Sequence, residues 1–436
     1  LLQASERSDD ALYRAVTWRF LPFLMVCYAV AYLDRVNIGI AKLGMSHDLA
    51  LSDAVYGAGA GIFFVGYFLC EVPSNAMLHK LGARVWIARI MMSWAVASAA
   101  CAFVQGPVSF YCARFLLGVT EAGFFPGIIL YLTYWYPAAR RGRIVAFFMT
   151  AIPIAGLVGT PLSGVIMTFL DGALGWSGWR WMLVCEALPA FVLGASVPFI
   201  LDSRVEHATW LTDGEKARLS ANLAMDAPSS GHAHPKFRDV VSDPLILRFS
   251  ILYFCCVMGQ YGITFWLPTL LGRVGHGSAW LVGLYATLPY GCAVLAMLWV
   301  GRHSDLTGER KWHLILPLVV GALALGVAPL ANGNVPLSVM ILSLAAAAVL
   351  TATPLFWNLP TAVLSGTSAA IGIAAINSVG NIAGFVSPMV VGWLSERSGS
   401  IGAGMWMLTA VMIGGALIAQ RIKTPPSSSR SPSIHN

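Results

Sequence analysis

Residues 17–40 read TWRFLPFLMVCYAVAYLDRVNIGI, and no charge interrupts the run from Phe20 to Leu33. At about 1.5 Å per residue, a helix over this stretch exceeds the roughly 30 Å of a hydrocarbon core. Near its end stand an acid and a base, Asp34 and Arg35, with Asn37 three residues after Asp34. A charged side chain at such depth costs about 2.5–3.5 kcal/mol on insertion scales, so an adjacent pair marks a working interior rather than a lipid-facing surface.

Further apolar stretches of similar length follow to the end of the chain. Spans are predicted over 17–40, 55–77, 84–104, 107–135, 143–170 and 180–201. After a polar connector come 245–272, 279–301, 312–331, 335–357, 369–394 and 402–420. Backbone groups in lipid must be satisfied within the segment, so the spans are helices. Composition agrees: 57% of the 436 residues are hydrophobic and 11% charged, against about 25% charged in soluble domains. A soluble alternative would need a large apolar core with almost no polar surface.

The net charge of +7 is topogenic in pattern. Lys42, Arg273 and Arg397 are few on one side. Lys80, Arg84, Arg140, Arg141, Arg143, Arg204, Lys216, Arg218, Lys236, Arg238, Arg302, Arg310, Lys311, Arg421 and Lys423 crowd the other. That asymmetry predicts that both termini are cytoplasmic; the expected location is a bacterial inner membrane. No basic cluster with interleaved aromatics points to nucleic acid. The eight cysteines fall in apolar segments without a C-x-x-C pair, which indicates neither disulfides nor a metal site. No cleavable signal peptide is expected, because the first apolar run follows the polar stretch Gln3–Arg14 and leads into further spans.

The expected organisation is a cytoplasmic segment 1–16, a six-helix bundle 17–201, a cytoplasmic linker 202–244, a second bundle 245–421 and a disordered tail 422–436. The linker holds Thr212-Asp213-Gly214-Glu215, a capping pattern that predicts a short helix. Three elements repeat at near-equal offsets. Gly82 and Gly308 are 226 residues apart, Pro161 and Pro388 are 227, and Pro126 and Pro354 are 228. These offsets predict duplication of a six-helix unit; coincidence in a Gly- and Pro-rich membrane chain is the alternative. Repeated halves around a midplane site are an alternating-access architecture.

The stretch 301–313, GRHSDLTGERKWH, is similar to the loop motif between the eighth and ninth spans of the major facilitator superfamily. Its counterpart, residues 74–84 (SNAMLHKLGAR), lacks the acidic residue. Four runs resemble the anion:cation symporter branch of that superfamily, which includes tartrate, phthalate, hydroxyphenylacetate and galactonate permeases. They are 32–39 (YLDRVNIG), 114–127 (RFLLGVTEAGFFPG), 261–268 (YGITFWLP) and 376–385 (INSVGNIAGF). The resemblance covers nearly the whole chain. It implies twelve transmembrane helices in two pseudo-symmetric six-helix bundles and proton-coupled uptake of a small organic carboxylate, with members differing in substrate.

Arg114 and Glu121 lie seven apart in the fourth span and therefore on one helical face. With Asp34 and Arg35 they are expected to look into a central cavity. An organic anion there needs a cation, and the planar, permanently charged guanidinium grips carboxylate bidentately. Arg35 is the expected contact, and the resemblance points the same way. Arg114 is expected to pair with Glu121 at some stage of the transport cycle. Proton coupling needs carboxylates whose affinity for protons changes with desolvation and with nearby arginine. Asp34 and Glu121 fit, and related symporters use the matching positions. Tyr32, Tyr67, Gln260, Tyr261, Trp357, Asn377 and Asn381 are candidate substrate contacts. The resemblance adds weight to Tyr32, Tyr67 and Asn377, while for the others membrane packing remains open. His79, Lys80, Arg84, Asp305, Gly308 and Arg310 are candidates for a cytoplasmic gate. Glu71, Arg89 and Glu186 read first as structural charges near helix ends. No cofactor beyond the coupling proton is expected. The expected partners are a small organic anion and the lipid bilayer, with no nucleic acid, and a functional monomer.

An embedded enzyme would need a nucleophile with its base, a metal cluster or a phosphate loop. No G-x-x-x-x-G-K-[ST], H-E-x-x-H or G-x-S-x-G occurs. A sensor using the same pocket without net flux, and a multidrug/proton antiporter on the same fold, are the remaining alternatives.

Overall fold

Apolar stretches in this chain close their backbone hydrogen bonds within single helices, since hydrocarbon offers no other partner. The computed structural model describes residues 8–225, 242–274, 278–331, 333–363 and 366–422. The first span is made of α1 (Asp9–Val36) and α2 (Ile38–Asp48), meeting at Asn37. Then follow α3 (Asp53–Leu81), α4 (Ala83–Ala100), α5 (Pro107–Glu121) with α6 (Phe124–Thr133), α7 (Ala138–Met149) with α8 (Ala151–Phe169), and α9 (Gly178–Ile200). The connector carries α10 (Asp213–Ala224). The second half consists of α11 (Pro244–Val274), α12 (Ala279–Thr307), α13 (Lys311–Val327), α14 (Val335–Val363), α15 (Gly366–Ser398) and α16 (Ile401–Arg421). Twelve of these segments are long and apolar enough to cross a membrane.

The first helix begins at Asp9, earlier than the hydrophobic run. Ser8 caps it by accepting from the Ala11 N–H, and Asp9 and Asp10 complement its N-terminal dipole. In the connector the expected capping box is present: Thr212 Oγ1 accepts from the Glu215 N–H, and Glu215 accepts from the Thr212 N–H at 3.0 Å. The rest of the linker, 226–241, and the tail from 423 lie outside the described residues. Pro126 and Pro153 stand in the first turns of α6 and α8, where a missing N–H leaves no intrahelical bond unmade.

The two halves meet along α3 with α15 and along α8 with α12. These are the second, eleventh, fifth and eighth spans, and the pairs exchange when the halves are swapped. Both crossings use glycine for close approach. A Cβ at Gly57 would lie 2.3 Å from the Pro388 carbonyl oxygen, and one at Gly283 would lie 2.9 Å from that of Thr160. Gly392 and Gly164 face them in the two crossings.

Both crossings lie at the end of the bundle remote from Asp9 and Arg421. There Ser395 Oγ donates to Asp53 Oδ2 at 2.6 Å, the Ala54 N–H to Glu396 Oε2 at 3.0 Å, and Tyr56 Oη to the Phe265 carbonyl at 3.0 Å. Lys42 Nζ is buried between the rings of Tyr56 and Trp266, at 4.7 and 4.1 Å from their centroids, and bonds Asp53 at 2.6 Å. At the end carrying the termini, no ion pair joins the halves among the described residues.

Candidate functional site

Halfway along the bundle, between the halves, lies a cavity of about 70 Å³. All eight residues singled out as substrate contacts line it: Tyr32, Arg35, Tyr67, Gln260, Tyr261, Trp357, Asn377 and Asn381.

Arg35 is buried in the cavity wall. Its Nη2 makes an ion pair with Glu121, its Nη1 donates to Tyr261 Oη at 3.3 Å, and its Cζ lies 5.2 and 5.3 Å from the ring centres of Phe63 and Tyr67. Glu121 is fully buried at the last residue of α5. The chain breaks immediately after it: Ala122 is extended, and Gly123, at φ +85°, is left-handed. Glycine suits that position on two counts, because a Cβ there would also meet Ser74 Oγ at 2.4 Å. The other Glu121 oxygen, Oε2, has no protein donor.

One expectation is corrected by geometry. Asp34 does not face the cavity with Arg35. Successive helical residues point about 100° apart, and Asp34 turns into the first bundle, accepting from Trp94 Nε1 at 2.9 Å and Ser98 Oγ at 3.0 Å. Arg114, expected to pair with Glu121 at some stage of the cycle, is not paired with it in this conformation. Two turns separate them along the helix, and Arg114 Nη2 reaches the Arg35 carbonyl at 3.3 Å, leaving its Nε without a partner. Both charged motifs stand beside interruptions of their spans: Asp34 and Arg35 precede the Asn37 junction, and Glu121 precedes the Gly123 turn.

The remaining polar groups tie the wall together. Tyr32 Oη lies 3.3 Å from Thr264 Oγ1, and Thr353 Oγ1 donates to Gln260 Oε1 at 2.7 Å. Trp357 packs on Tyr253 with ring centres 4.8 Å apart. Glu71, first read as a helix-end charge, belongs to the cavity. It accepts from Asn381 Nδ2 at 3.0 Å and from Asn377 Nδ2 at 3.4 Å across the two halves. Its signal was available: Glu71 follows Tyr67 by one helical turn. Tyr28, one turn before Tyr32, was missed in the same way.

Of the gate candidates, Lys80 and Arg84 are exposed, and the His79 side chain lies outside what is described. Arg310 bonds Asp305 at 2.5 Å and Ser304 at 3.1 Å within one loop, where Gly308 makes the turn at φ +68°. Among the described residues, no hydrogen bond or ion pair joins these candidates across the halves. Among the described residues, no three His, Cys, Asp or Glu side chains converge as a metal site would require.

Twelve membrane-crossing helices in two exchangeable halves, around a polar cavity that holds a buried arginine, define an integral membrane transporter. The chain belongs to the Major Facilitator Superfamily, whose family model matches residues 24–388. A protein of Agrobacterium vitis named as a tartrate transporter is 44% identical over 410 residues, with 94% of each chain covered. The metabolite transport protein NicT of Pseudomonas putida is 42% identical over 94% of this chain and 93% of its own. A quinolone resistance transporter of Acinetobacter baumannii is 39% identical over 94% of each. Among solved structures, the xylose transporter XylE of E. coli in a partially occluded inward-open conformation superposes with a TM-score of 0.73. It covers 93% of this chain and 98% of that one at 14% identity, a likeness of fold.

Proposed function

We propose that this transporter carries a small organic carboxylate together with protons by alternating access. The observation that carries this reading is the Arg35–Glu121 ion pair in the cavity wall. A substrate carboxylate and the Glu121 carboxylate compete for one guanidinium. Removing one partner of a buried pair is destabilising by about 3–5 kcal/mol, so Arg35 must keep an anion throughout. When substrate takes Arg35, Glu121 is displaced within a desolvated pocket, and taking up a proton removes the cost of its charge. Substrate and proton then travel together. The spare capacity of Arg114 Nε and Glu121 Oε2 lets those two side chains, two turns apart on α5, reach toward each other by a change of rotamer. Asp34, held by Trp94 and Ser98, serves as a second proton site on the far side of the same helix.

With the termini cytoplasmic, the closed end faces outward, and the conformation is inward-facing with the acid returned to arginine. The cavity lies within a single chain, which suits a monomer in a bacterial inner membrane. Hydroxyl and amide groups from Tyr32, Gln260, Asn377 and Asn381 suit a hydroxylated acid, and the relatives named for tartrate and metabolite transport support the carboxylate class.

The test is Glu121→Gln in proteoliposomes. Uphill uptake driven by a pH gradient is lost, while counterflow exchange of a carboxylate found by thermal-shift screening persists. Accumulation against the gradient by this variant refutes the assignment. The relative named for quinolone resistance favours a second reading, export of an aromatic drug against protons. Under that reading an inward proton gradient drives the cargo out of vesicles instead of accumulating it.

A further inference from the structure

Among the described residues, five Asp, Glu, Lys or Arg side chains are buried in the first bundle away from its ends: Asp34, Arg35, Arg114, Glu121 and Glu186. Three are acids and two are bases, so the set is neutral only if one acid holds a proton. Glu121 has Arg35 as counter-ion. Asp34 accepts from the indole N–H of Trp94, which is an obligate donor, and from Ser98. Glu186 on α9 has no cation within ion-pair distance among the described residues. Its contacts are Asn37 Nδ2, which donates to Oε2 at 3.0 Å, and Ser163 Oγ, 2.5 Å from Oε1.

Ser163 decides the proton count. Its Oγ also lies 2.9 Å from the Gly159 carbonyl one turn back. A hydroxyl has one proton and here meets two acceptors. If it bonds the carbonyl, the short contact to Glu186 needs a proton from the carboxyl. A separation of 2.5 Å fits an O–H donor on either side; the second acceptor, the Gly159 carbonyl, is what assigns the proton to the carboxyl. Around Glu186 pack α1, α2, α4 and α8. Asp34 faces it from α1, and Cys185 adjoins it on α9. Lys42 of α2 is turned to Asp53, and Arg89 of α4 lies against Trp86. An ionised Glu186 would thus be a buried charge without a partner beside a second acid, the arrangement that burial disfavours most.

We propose that Glu186 is a neutral carboxylic acid carrying a resident proton. It donates to Ser163 of α8 and accepts from Asn37, at the junction of α1 and α2. Glu186 is thereby a positioning residue: it fixes the break that follows Asp34 and Arg35, and through it the direction in which each points. This proton is distinct from those assigned to Glu121 and Asp34, and its test does not depend on knowing the substrate.

Infrared spectroscopy of the purified protein at about pH 8, well above the usual carboxyl range, should show a protonated-carboxyl C=O band that Glu186→Gln removes and Ser163→Ala displaces. Gln reproduces the same pattern, with its amide donating to Ser163 and its carbonyl accepting from Asn37. Glu186→Gln should therefore melt with the wild type, whereas Glu186→Leu, which strands both partners, should melt several degrees lower. The inference is overturned if no Gln-sensitive band exists at that pH. It is equally overturned if Gln destabilises the protein as much as Leu.

Discussion

A single methyl group at Gly57 should move the whole transporter toward its opposite state. The Cβ of alanine there would lie 2.3 Å from the Pro388 carbonyl oxygen and 3.3 Å from the Gly392 Cα. Ordinary contact distances require α3 and α15 to part by about 1 Å. Overpacking of this kind costs about 1–3 kcal/mol. The penalty falls only on conformations in which this end is shut, so it converts to a shift of roughly 5- to 150-fold in the population ratio toward a form open at this end. Gly283, in the exchanged crossing, has a smaller overlap at 2.9 Å from the Thr160 carbonyl, and Gly283→Ala should shift the balance less. Spin labels at His47 and Trp280, exposed on the first and second halves respectively, in a background without the eight native cysteines, report the separation by pulsed electron resonance. Gly57→Ala should add a longer-distance population, larger than that of Gly283→Ala. Unchanged distances in a folded Gly57→Ala protein would refute the claim that backbone contact at these crossings holds the end closed.

Two further predictions concern stability. Asp53→Asn removes the counter-ion of Lys42, whose side chain is 7% exposed while that of Asp53 is 28% exposed. It should destabilise by about 2 kcal/mol, below the 3–5 kcal/mol of a fully buried pair because Asp53 is partly solvated; adding Lys42→Met should recover most of the lost melting temperature. Thr212→Ala deletes the cap of α10 and should weaken that helix by about 1 kcal/mol, visible as faster amide exchange over 213–224 with transport unchanged.

The twelve spans and their positions were legible because apolar length is a one-dimensional property: hydrocarbon thickness demands it of each segment separately. The duplicated halves were legible through Pro161 and Pro388, which turn out to lie in the two exchanged crossings. The cavity residues Tyr32, Arg35, Tyr67 and Asn377 could be nominated because polar groups in such spans are few. Glu71 was passed over because an acid near a helix end and an acid in a cavity look alike until the neighbouring half is in place. The Thr212–Glu215 cap was readable since it closes within four residues.

Pairing was not readable. The chain itself determined that Asp34, Arg35, Arg114, Glu121 and Glu186 lie inside membrane helices, where charge must be matched or neutralised. Only the tertiary structure decided that Glu121 goes to Arg35, that Asp34 goes to Trp94 and Ser98, and that Glu186 meets Asn37 and Ser163. The reason is physical: the pattern along a helix fixes which residues share a face. Which face meets which depends on the rotation of each helix against neighbours distant in sequence, and on breaks such as those at Asn37 and Gly123 that turn a side chain away from its expected direction.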